Sequence, residues 1–241
     1  MSIATGASTR MAAPRRASVQ SSVRTQSTWF GIGLMLSFLV PYVFTSLTEV
    51  HHDIYYALYF SIVAAFLTLY VRETKLDVAA LFTRAWKWSL GIGFLSTAFV
   101  VFNVYSRDAT DGPGGLYAVF EFGWRGLAYG TVDALLLTAF PGAVALRMLG
   151  GRLDGFGRKI SYAALAAVLV LSMTAVYHLG YQQFREDGIG GPEIGNTAIS
   201  MPLFLTANPV GSILTHATMH AAADVHAYET DLFLPPQTDA P

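Results

Sequence analysis

Six long apolar segments constrain the fold of this chain more than any other feature. A helix needs roughly 20 mostly apolar residues to cross a bilayer. The segments of this kind are residues 28–47, 54–71, 88–105, 117–149, 160–179 and 197–226. The fourth is too long for one straight span, and Pro141 is expected to kink or end it. The sixth is split at Asn208-Pro209, where an Asn cap precedes a proline at the first helical position. The sequence therefore predicts an all-α, polytopic membrane helix bundle of six spans over residues 28–228.

The composition supports a membrane protein and excludes several other classes. Hydrophobic residues make up 53% of the chain and charged residues 13%, whereas soluble domains carry about 25% charged residues. A soluble globule and a disordered chain are therefore excluded. The net charge is -1, so there is no basic excess to bind nucleic acid. The chain has no cysteine, which excludes disulfides, thiolate metal sites and cysteine nucleophiles.

The distribution of Lys and Arg predicts the orientation in the membrane. Twelve of the fifteen positive residues lie before the first segment, after the second and after the fourth: Arg10, Arg15, Arg16, Arg24, Arg72, Lys75, Arg84, Lys87, Arg147, Arg152, Arg158 and Lys159. The other connections hold only Arg107 and Arg185. Rich and poor connections alternate, so an even number of spans places both termini in the cytoplasm.

The segments outside the apolar runs carry simpler signals. Residues 1–27 contain four Arg, many Ser, Thr and Ala, and no acid, which is typical of a disordered basic tail or of an organellar transit peptide. Residues 229–241 are predicted to be a disordered C-terminal tail. Residues 76–87 are expected to form a short interfacial helix. The glycine-rich stretch 188–196 is either a lid over a site or an ordinary connecting loop.

Ionisable residues inside a span are costly, and this makes them functional candidates. Glu121 and Arg125 are four residues apart in the fourth segment, a spacing that favours an ion pair. His178 lies near the end of the fifth segment, and His216 and His220 share one face of the last helix. The predicted topology brings these five residues to one level near the non-cytoplasmic face. They are the candidate catalytic residues.

Each candidate also has a structural interpretation. The Glu121–Arg125 pair can fix helix packing, His178 can bond to a backbone carbonyl, and polar side chains such as the histidine pair can hold helices together. Asp133 has no obvious partner in the sequence and is expected to meet Asp224 or a histidine. Two further features are a small-residue pair, Gly126 and Gly130, which suits close helix packing, and the run 51–53 (His-His-Asp), which is a solvated loop or a surface metal site.

Two kinds of chemistry fit these residue types. A carboxylate and imidazoles in a hydrated pocket can activate water and stabilise an oxyanion. Alternatively, Glu121, His178, His216 and His220 can bind zinc or another divalent metal through nitrogen and oxygen. The sequence does not separate these alternatives.

The order of these residues resembles the CPBP family of intramembrane proteases (the CAAX protease and bacteriocin-processing proteins). That family has three motifs, E-E-x-x-x-R-G, F-x-x-x-H and H-x-x-x-N, and this chain reads FEFGWRG over 120–126, TAVYH over 174–178 and HATMH over 216–220. Phe120, Thr174 and His220 depart from the family pattern. The resemblance implies that Glu121 and His178 activate water and that His216 and His220 hold the oxyanion.

Three functions follow as hypotheses. The first is an intramembrane hydrolase that acts on a membrane protein, a peptide or another amide. The second is a catalytically silent membrane subunit for binding or assembly. The third is a metal, haem or proton-carrying membrane protein, although the chain has no haem-attachment motif. The lipid bilayer is the expected environment in all three.

Overall fold

The computed structural model describes residues 22–48 and 50–229, and over these residues the chain is helical with no strand. The elements are α1 (Val23–Pro41) with a π-helical extension (Tyr42–Leu47), α2 (His52–Thr74), α3 (Val78–Thr83), α4 (Trp86–Tyr105), α5 (Gly115–Glu121), a π-helix (Phe122–Tyr129), α6 (Gly130–Ala134), a second π-helix (Leu135–Ala139), α7 (Phe140–Met148), α8 (Phe156–His178), α9 (Gln182–Asp187), α10 (Gly190–Thr206) and α11 (Val210–His226). The predicted all-α fold is confirmed.

Five of the predicted spans are present as helices that are long and apolar enough to cross a membrane. Among the described residues these are Val23–Leu47, His52–Thr74, Trp86–Tyr105, Gly115–Met148 and Phe156–His178. Many of their large apolar side chains are exposed on the outside of the bundle, where only lipid can cover them. The protein is an integral, multi-pass membrane protein.

The predicted sixth span is a pair of helices. α10 and α11 have 17 residues each and are joined by a short turn. At 1.5 Å per residue each is about 25 Å long, a little less than the hydrocarbon core. The glycine-rich stretch that was expected to be a loop is helical from Gly190 onward. The Oδ1 atom of Asn208 accepts a hydrogen bond from the Val210 amide at 2.8 Å, whereas Pro209, predicted as the first helical residue, lies at the N-cap position of α11.

This pair places the two described ends of the chain at opposite ends of the bundle. Gln26 accepts a hydrogen bond from Tyr70 near the end of α2, whereas His226 stacks on Tyr105 at the end of α4, with ring centroids 4.4 Å apart. We call these the Gln26 end and the Tyr105 end.

The long fourth segment is one continuous helix with irregular winding. Two π-helical stretches, Phe122–Tyr129 and Leu135–Ala139, interrupt its α-helical winding. The segment does not end at Pro141, but the second π-helical stretch directly precedes this proline, which lacks the amide hydrogen for a bond to the preceding turn. The irregular winding lies beside the candidate site.

The expectations for the terminal and interfacial segments are met in part. α1 begins at Val23, so residues 23–27 of the predicted tail are helical. The other tail predictions, for residues 1–21 and 230–241, lie outside the described residues. The expected interfacial helix is present as α3 (Val78–Thr83), which is shorter than the predicted range.

α4 and α11 pack in parallel and at very short distance. A Cβ atom added to Gly93 would lie 2.6 Å from the Cα atom of Gly211. Further along the same contact, the Thr97 hydroxyl donates to the Thr215 hydroxyl at 3.0 Å. Small residues allow such approach in membranes, where apolar side chains gain little by leaving lipid. This contact sets the depth of the middle of α11.

Candidate functional site

One carboxylate and two imidazoles meet in the buried centre of the bundle. The Asp133 carboxylate from α6 lies 3.2 Å from Nε2 of His216 on α11. The ring of His220 stacks on that of His216 with centroids 5.0 Å apart. The three side chains offer ligand atoms that all lie within 4.8 Å of one another, and all three are buried. We call Asp133, His216 and His220 the triad.

Within the described residues, hydrogen bonds connect the triad to its surroundings only through Asp133. Tyr59 donates a hydrogen bond to Oδ1 of Asp133 at 2.7 Å. By contrast, Nδ1 of His216 and both ring nitrogens of His220 are buried without a hydrogen-bond partner among the described residues. Buried polar atoms without partners are rare in native proteins. Their clustering here indicates a place for an ion, water or a ligand.

The triad lines a cavity of about 230 Å³. Its polar wall also contains His178, Asn196 and three tyrosines, and its apolar wall contains Phe99, Val100, Leu137, Phe184, Ile194, Ile199 and Met219. The Oδ1 atom of Asn196 is buried and has no hydrogen-bond partner in the described part of the chain. The cavity therefore combines a polar wall with a hydrophobic one, as ligand pockets commonly do.

One hydrogen bond fixes the tautomer of neutral His178 at this wall. Its Nδ1 lies 2.8 Å from the carbonyl oxygen of Thr174. A carbonyl oxygen only accepts, so Nδ1 carries the hydrogen and a neutral ring keeps its lone pair on Nε2. The structural interpretation, a bond to a backbone carbonyl, is thus correct, and His178 also lines the cavity.

Four buried tyrosines form a connected set of hydroxyls beside the triad. The Tyr55 and Tyr181 hydroxyls are 2.5 Å apart, those of Tyr177 and Tyr181 are 2.6 Å apart, and Tyr129 is bonded to Tyr177. Tyr129, Tyr177 and Tyr181 line the cavity. This cluster was not predicted from the sequence, although Tyr177 and Tyr181 are four residues apart at the end of the fifth segment.

Glu121 and Arg125 belong to a different cluster, near the Tyr105 end. Glu121 accepts a hydrogen bond from the Tyr228 hydroxyl at 3.3 Å and lies 3.9 Å from Nε2 of His52. Arg125 donates to the Tyr228 carbonyl at 2.9 Å, with its guanidinium 4.2 Å from the centre of the Tyr228 ring. Burial raises the pKa of the Tyr228 phenol, so this hydroxyl stays protonated and donates. Both side chains thus hold the segment that follows α11.

The predicted ion pair between Glu121 and Arg125 is not formed. No oxygen of Glu121 lies within 4.0 Å of a nitrogen of Arg125 in the described structure. Each side chain is instead bound to Tyr228, Glu121 through the hydroxyl and Arg125 through the backbone carbonyl.

The structure therefore divides the predicted site residues into two groups. His178, His216 and His220 line one cavity, while Glu121 and Arg125 lie outside its lining. Asp133 was expected to meet Asp224 or a histidine, and it meets His216. The run 51–53 forms a second, more exposed group able to hold a metal. Neither family models nor curated proteins nor solved structures match this chain.

Proposed function

We propose that this protein is a membrane-embedded hydrolase of peptide, amide or related acyl bonds, with a divalent metal such as zinc held by Asp133, His216 and His220. The observation that supports this most is the set of unpartnered nitrogens in the buried triad at a cavity wall. Catalytic zinc sites commonly have three protein ligands, often two histidines and a carboxylate, with one position open. The triad has this composition.

The surroundings of Asp133 also fit a metal ligand. Metal-binding side chains are usually oriented by further hydrogen bonds, and Tyr59 supplies one to Asp133. A bound zinc ion would lower the pKa of a coordinated water to about 7. Without an ion, three nitrogens of the two histidine rings are buried with no hydrogen-bond partner among the described residues.

The remaining cavity residues suit the other steps of hydrolysis. The lone pair on Nε2 of neutral His178 can accept a proton from water as its oxygen attacks a carbonyl carbon. Hydroxyls at the wall, such as that of Tyr129, can donate to the negative oxygen that develops. The proton on His178 then passes to the leaving nitrogen or oxygen as the bond breaks.

This proposal keeps the hydrolase class that the CPBP resemblance implies and changes the carboxylate. In that resemblance Glu121 activates water, but Glu121 contacts Tyr228 and does not line the cavity. In our proposal the carboxylate at the cavity is that of Asp133, which acts as a metal ligand. In our proposal Glu121 and Arg125 position the chain after α11.

Metal analysis of the purified protein in detergent tests this proposal. We expect about one equivalent of zinc or another transition metal per chain in the wild type, and none in His216→Ala/His220→Ala. The matched control is His51→Ala/His52→Ala, which removes the other histidine pair and should keep the metal. Hydrolysis of a peptide library, read as new amino termini, should disappear in the triad variant and persist in the control. Unchanged metal content in the triad variant, or a metal-free and inactive wild type, would overturn the proposal.

A catalytically silent subunit is the second candidate. Phe120 occupies the position of the first glutamate of the family motif, and its half-exposed ring stacks beside Trp124 with centroids 6.1 Å apart on the outside of the bundle. This position supplies no carboxylate to the cavity. The second candidate expects no metal and no turnover, and a membrane partner that copurifies with the wild type but is lost from Glu121→Ala. An absorption spectrum of the same sample tests the haem hypothesis.

The orientation is also a proposal. The loops rich in Lys and Arg meet at the Gln26 end, where Arg84 donates to the Gly151 carbonyl. The positive-inside rule then places the Tyr105 end and the cavity near the non-cytoplasmic face. Because the chain has no cysteine, single-cysteine labelling tests this directly. Ser106→Cys should react with a membrane-impermeant reagent from outside, and Asp154→Cys should react only after lysis; the reverse result would invert the topology.

A further inference from the structure

The cavity opens sideways toward lipid between α4 and the first turns of α10. Phe99 of α4 and Ile194 of α10 both line the cavity, yet they are 54% and 72% exposed. On the membrane-facing surface of the bundle, such exposed apolar side chains contact hydrocarbon. The cavity wall is therefore continuous with the lipid-facing surface.

This opening lies at the depth of the triad. Phe99 is six residues before the end of α4, or about 9 Å from it at 1.5 Å per residue. α4 and α11 run in parallel, with Thr97 bonded to Thr215 and Tyr105 stacked on His226. Between these two contacts, His216 and His220 lie beside Phe99 along the membrane normal. A chain in the hydrocarbon region can therefore reach the triad without passing through water.

One cationic side chain lines the cavity near the Tyr105 end of the bundle. Arg107 follows the end of α4, is exposed, and lines the cavity. It is the only Lys or Arg in that lining, and no carboxylate of the described residues lies within 4.0 Å of it. The position just beyond a spanning helix is that of lipid head groups. Arginine binds carboxylate and phosphate groups through paired hydrogen bonds.

We propose that the ligand of this cavity is an acyl amphiphile in which a carboxylate or phosphate is separated by a few bonds from an amide or ester of a single alkyl chain. This deepens the proposed function and rests on it for the reaction. The anion binds Arg107, the acyl carbonyl lies at the triad, and the chain leaves past Phe99 and Ile194 into lipid. N-acyl amino acids and lysophosphatidates share this chemistry.

The cavity fits this class better than a folded polypeptide. Its volume of about 230 Å³ is below the roughly 300–1,000 Å³ of drug-sized ligand pockets, so only part of a ligand fits inside. An alkyl chain that stays in the bilayer needs no further room. In the reaction, the oxygen of water bonds to the acyl carbon, the carbon–nitrogen or carbon–oxygen bond breaks, and the leaving amine or alcohol takes the proton.

Binding of three probes with the same oleoyl chain tests the proposal. They are N-oleoylglycine, 1-oleoyl lysophosphatidate and the neutral oleoylethanolamide, measured on wild-type protein in nanodiscs. We expect the anionic probes to bind about tenfold or more tightly than the neutral one, since a charge-assisted contact supplies such a difference. The ratio between the two anionic probes distinguishes a carboxylate site from a phosphate site.

Two variants with matched controls locate the contacts. Arg107→Gln should remove the preference for anionic probes and leave binding of the neutral probe unchanged, whereas Arg72→Gln, an exposed arginine at the Gln26 end, should change neither. Ile194→Trp should obstruct the opening and weaken all three probes. Phe102→Trp, an exposed α4 position outside the cavity lining, should not. Equal binding of neutral and anionic probes, or no effect of Arg107→Gln and Ile194→Trp, would overturn the inference.

The two proposals fail in different ways. Selective binding without turnover, also seen in His216→Ala/His220→Ala, would leave the amphiphile site standing and refute the hydrolase. A metal-dependent peptide hydrolase that binds none of the three probes would refute the amphiphile and leave the proposed function intact.

Discussion

Gly130→Ala tests whether the close approach of two helices sets the geometry of the triad. Gly130 begins α6, one turn before Asp133. A Cβ atom there would lie 2.8 Å from the Cα atom of Ala217 and 3.0 Å from Cδ2 of His220. Ordinary contact begins at 3.4 Å, and the nearest atom is backbone, so α11 must move away from α6 by about 0.6 Å.

This displacement is large for a metal site. Overpacking of this kind costs about 1–3 kcal/mol in the free energy of unfolding. Metal–ligand distances are defined to within about 0.2 Å, and the shift separates the histidines on α11 from Asp133. Disturbing the groups that orient metal ligands typically costs about 10–100-fold in affinity. We expect Gly130→Ala to lose zinc affinity in this range and to have a lower Tm.

The assay is zinc competition against a chelating dye, with thermal unfolding of the same samples in detergent. Gly123→Ala is the matched control, because it lies in the adjoining π-helix and its added Cβ meets nothing within 4 Å. It should behave as the wild type in both measurements. A Gly130→Ala protein with wild-type zinc affinity and a lowered Tm would refute the link between this contact and the site.

Three further predictions concern single polar side chains. Tyr59→Phe removes the donor to Asp133 and should lower zinc affinity about tenfold. The control is Tyr162→Phe, because the buried hydroxyl of Tyr162 has no partner in the described structure. Equal zinc affinities of the two variants would contradict the prediction. His220→Leu removes two unpartnered buried nitrogens, so the metal-free protein should unfold at the same or a higher temperature. A lower Tm would instead show that the ring serves packing. Asn208→Ala leaves three carbonyls of the segment 81–84 without their donor and should cost at least about 1–3 kcal/mol, measured by thermal unfolding; a wild-type Tm would contradict it.

The membrane fold was predictable because hydropathy is a local property. Five apolar runs were located to within a few residues of the helices that they form. The hairpin of α10 and α11 was not found, because its first half begins with Gly190, Gly191 and Pro192, which read as a loop in sequence. These residues form the first turn of α10, where a proline is tolerated, and α10 as a whole packs against α4 and α8. No Lys or Arg follows Arg185, so loop charges carried no information about the last helices.

The histidines of the site were predictable because each is an ionisable residue in an apolar segment. His178, His216 and His220 all line the cavity, and the i, i+4 spacing identified the pair on α11. Asp133 reaches His216 across a helix contact, and no spacing along the chain encodes that. The spacing of Glu121 and Arg125 predicted a pair that is not formed, because both side chains bind Tyr228, a residue that is distant in sequence.

The polar residues of α11 and of the turn before it differ in whether their polar atoms have hydrogen-bond partners. Asn208, Ser212 and Thr215 are buried, and each is hydrogen-bonded to a neighbouring helix, turn or backbone group. Polar side chains that hold membrane helices together are satisfied in this way. His216 and His220 follow on the same helix and are equally buried, yet three of their four ring nitrogens have no partner in the described residues. Desolvating such groups without a partner is costly. Apart from Oδ1 of Asp224, the other buried polar side-chain atoms of α11 have partners among the described residues. The cost is offset when something else binds the nitrogens, which is the role that we propose for a metal ion.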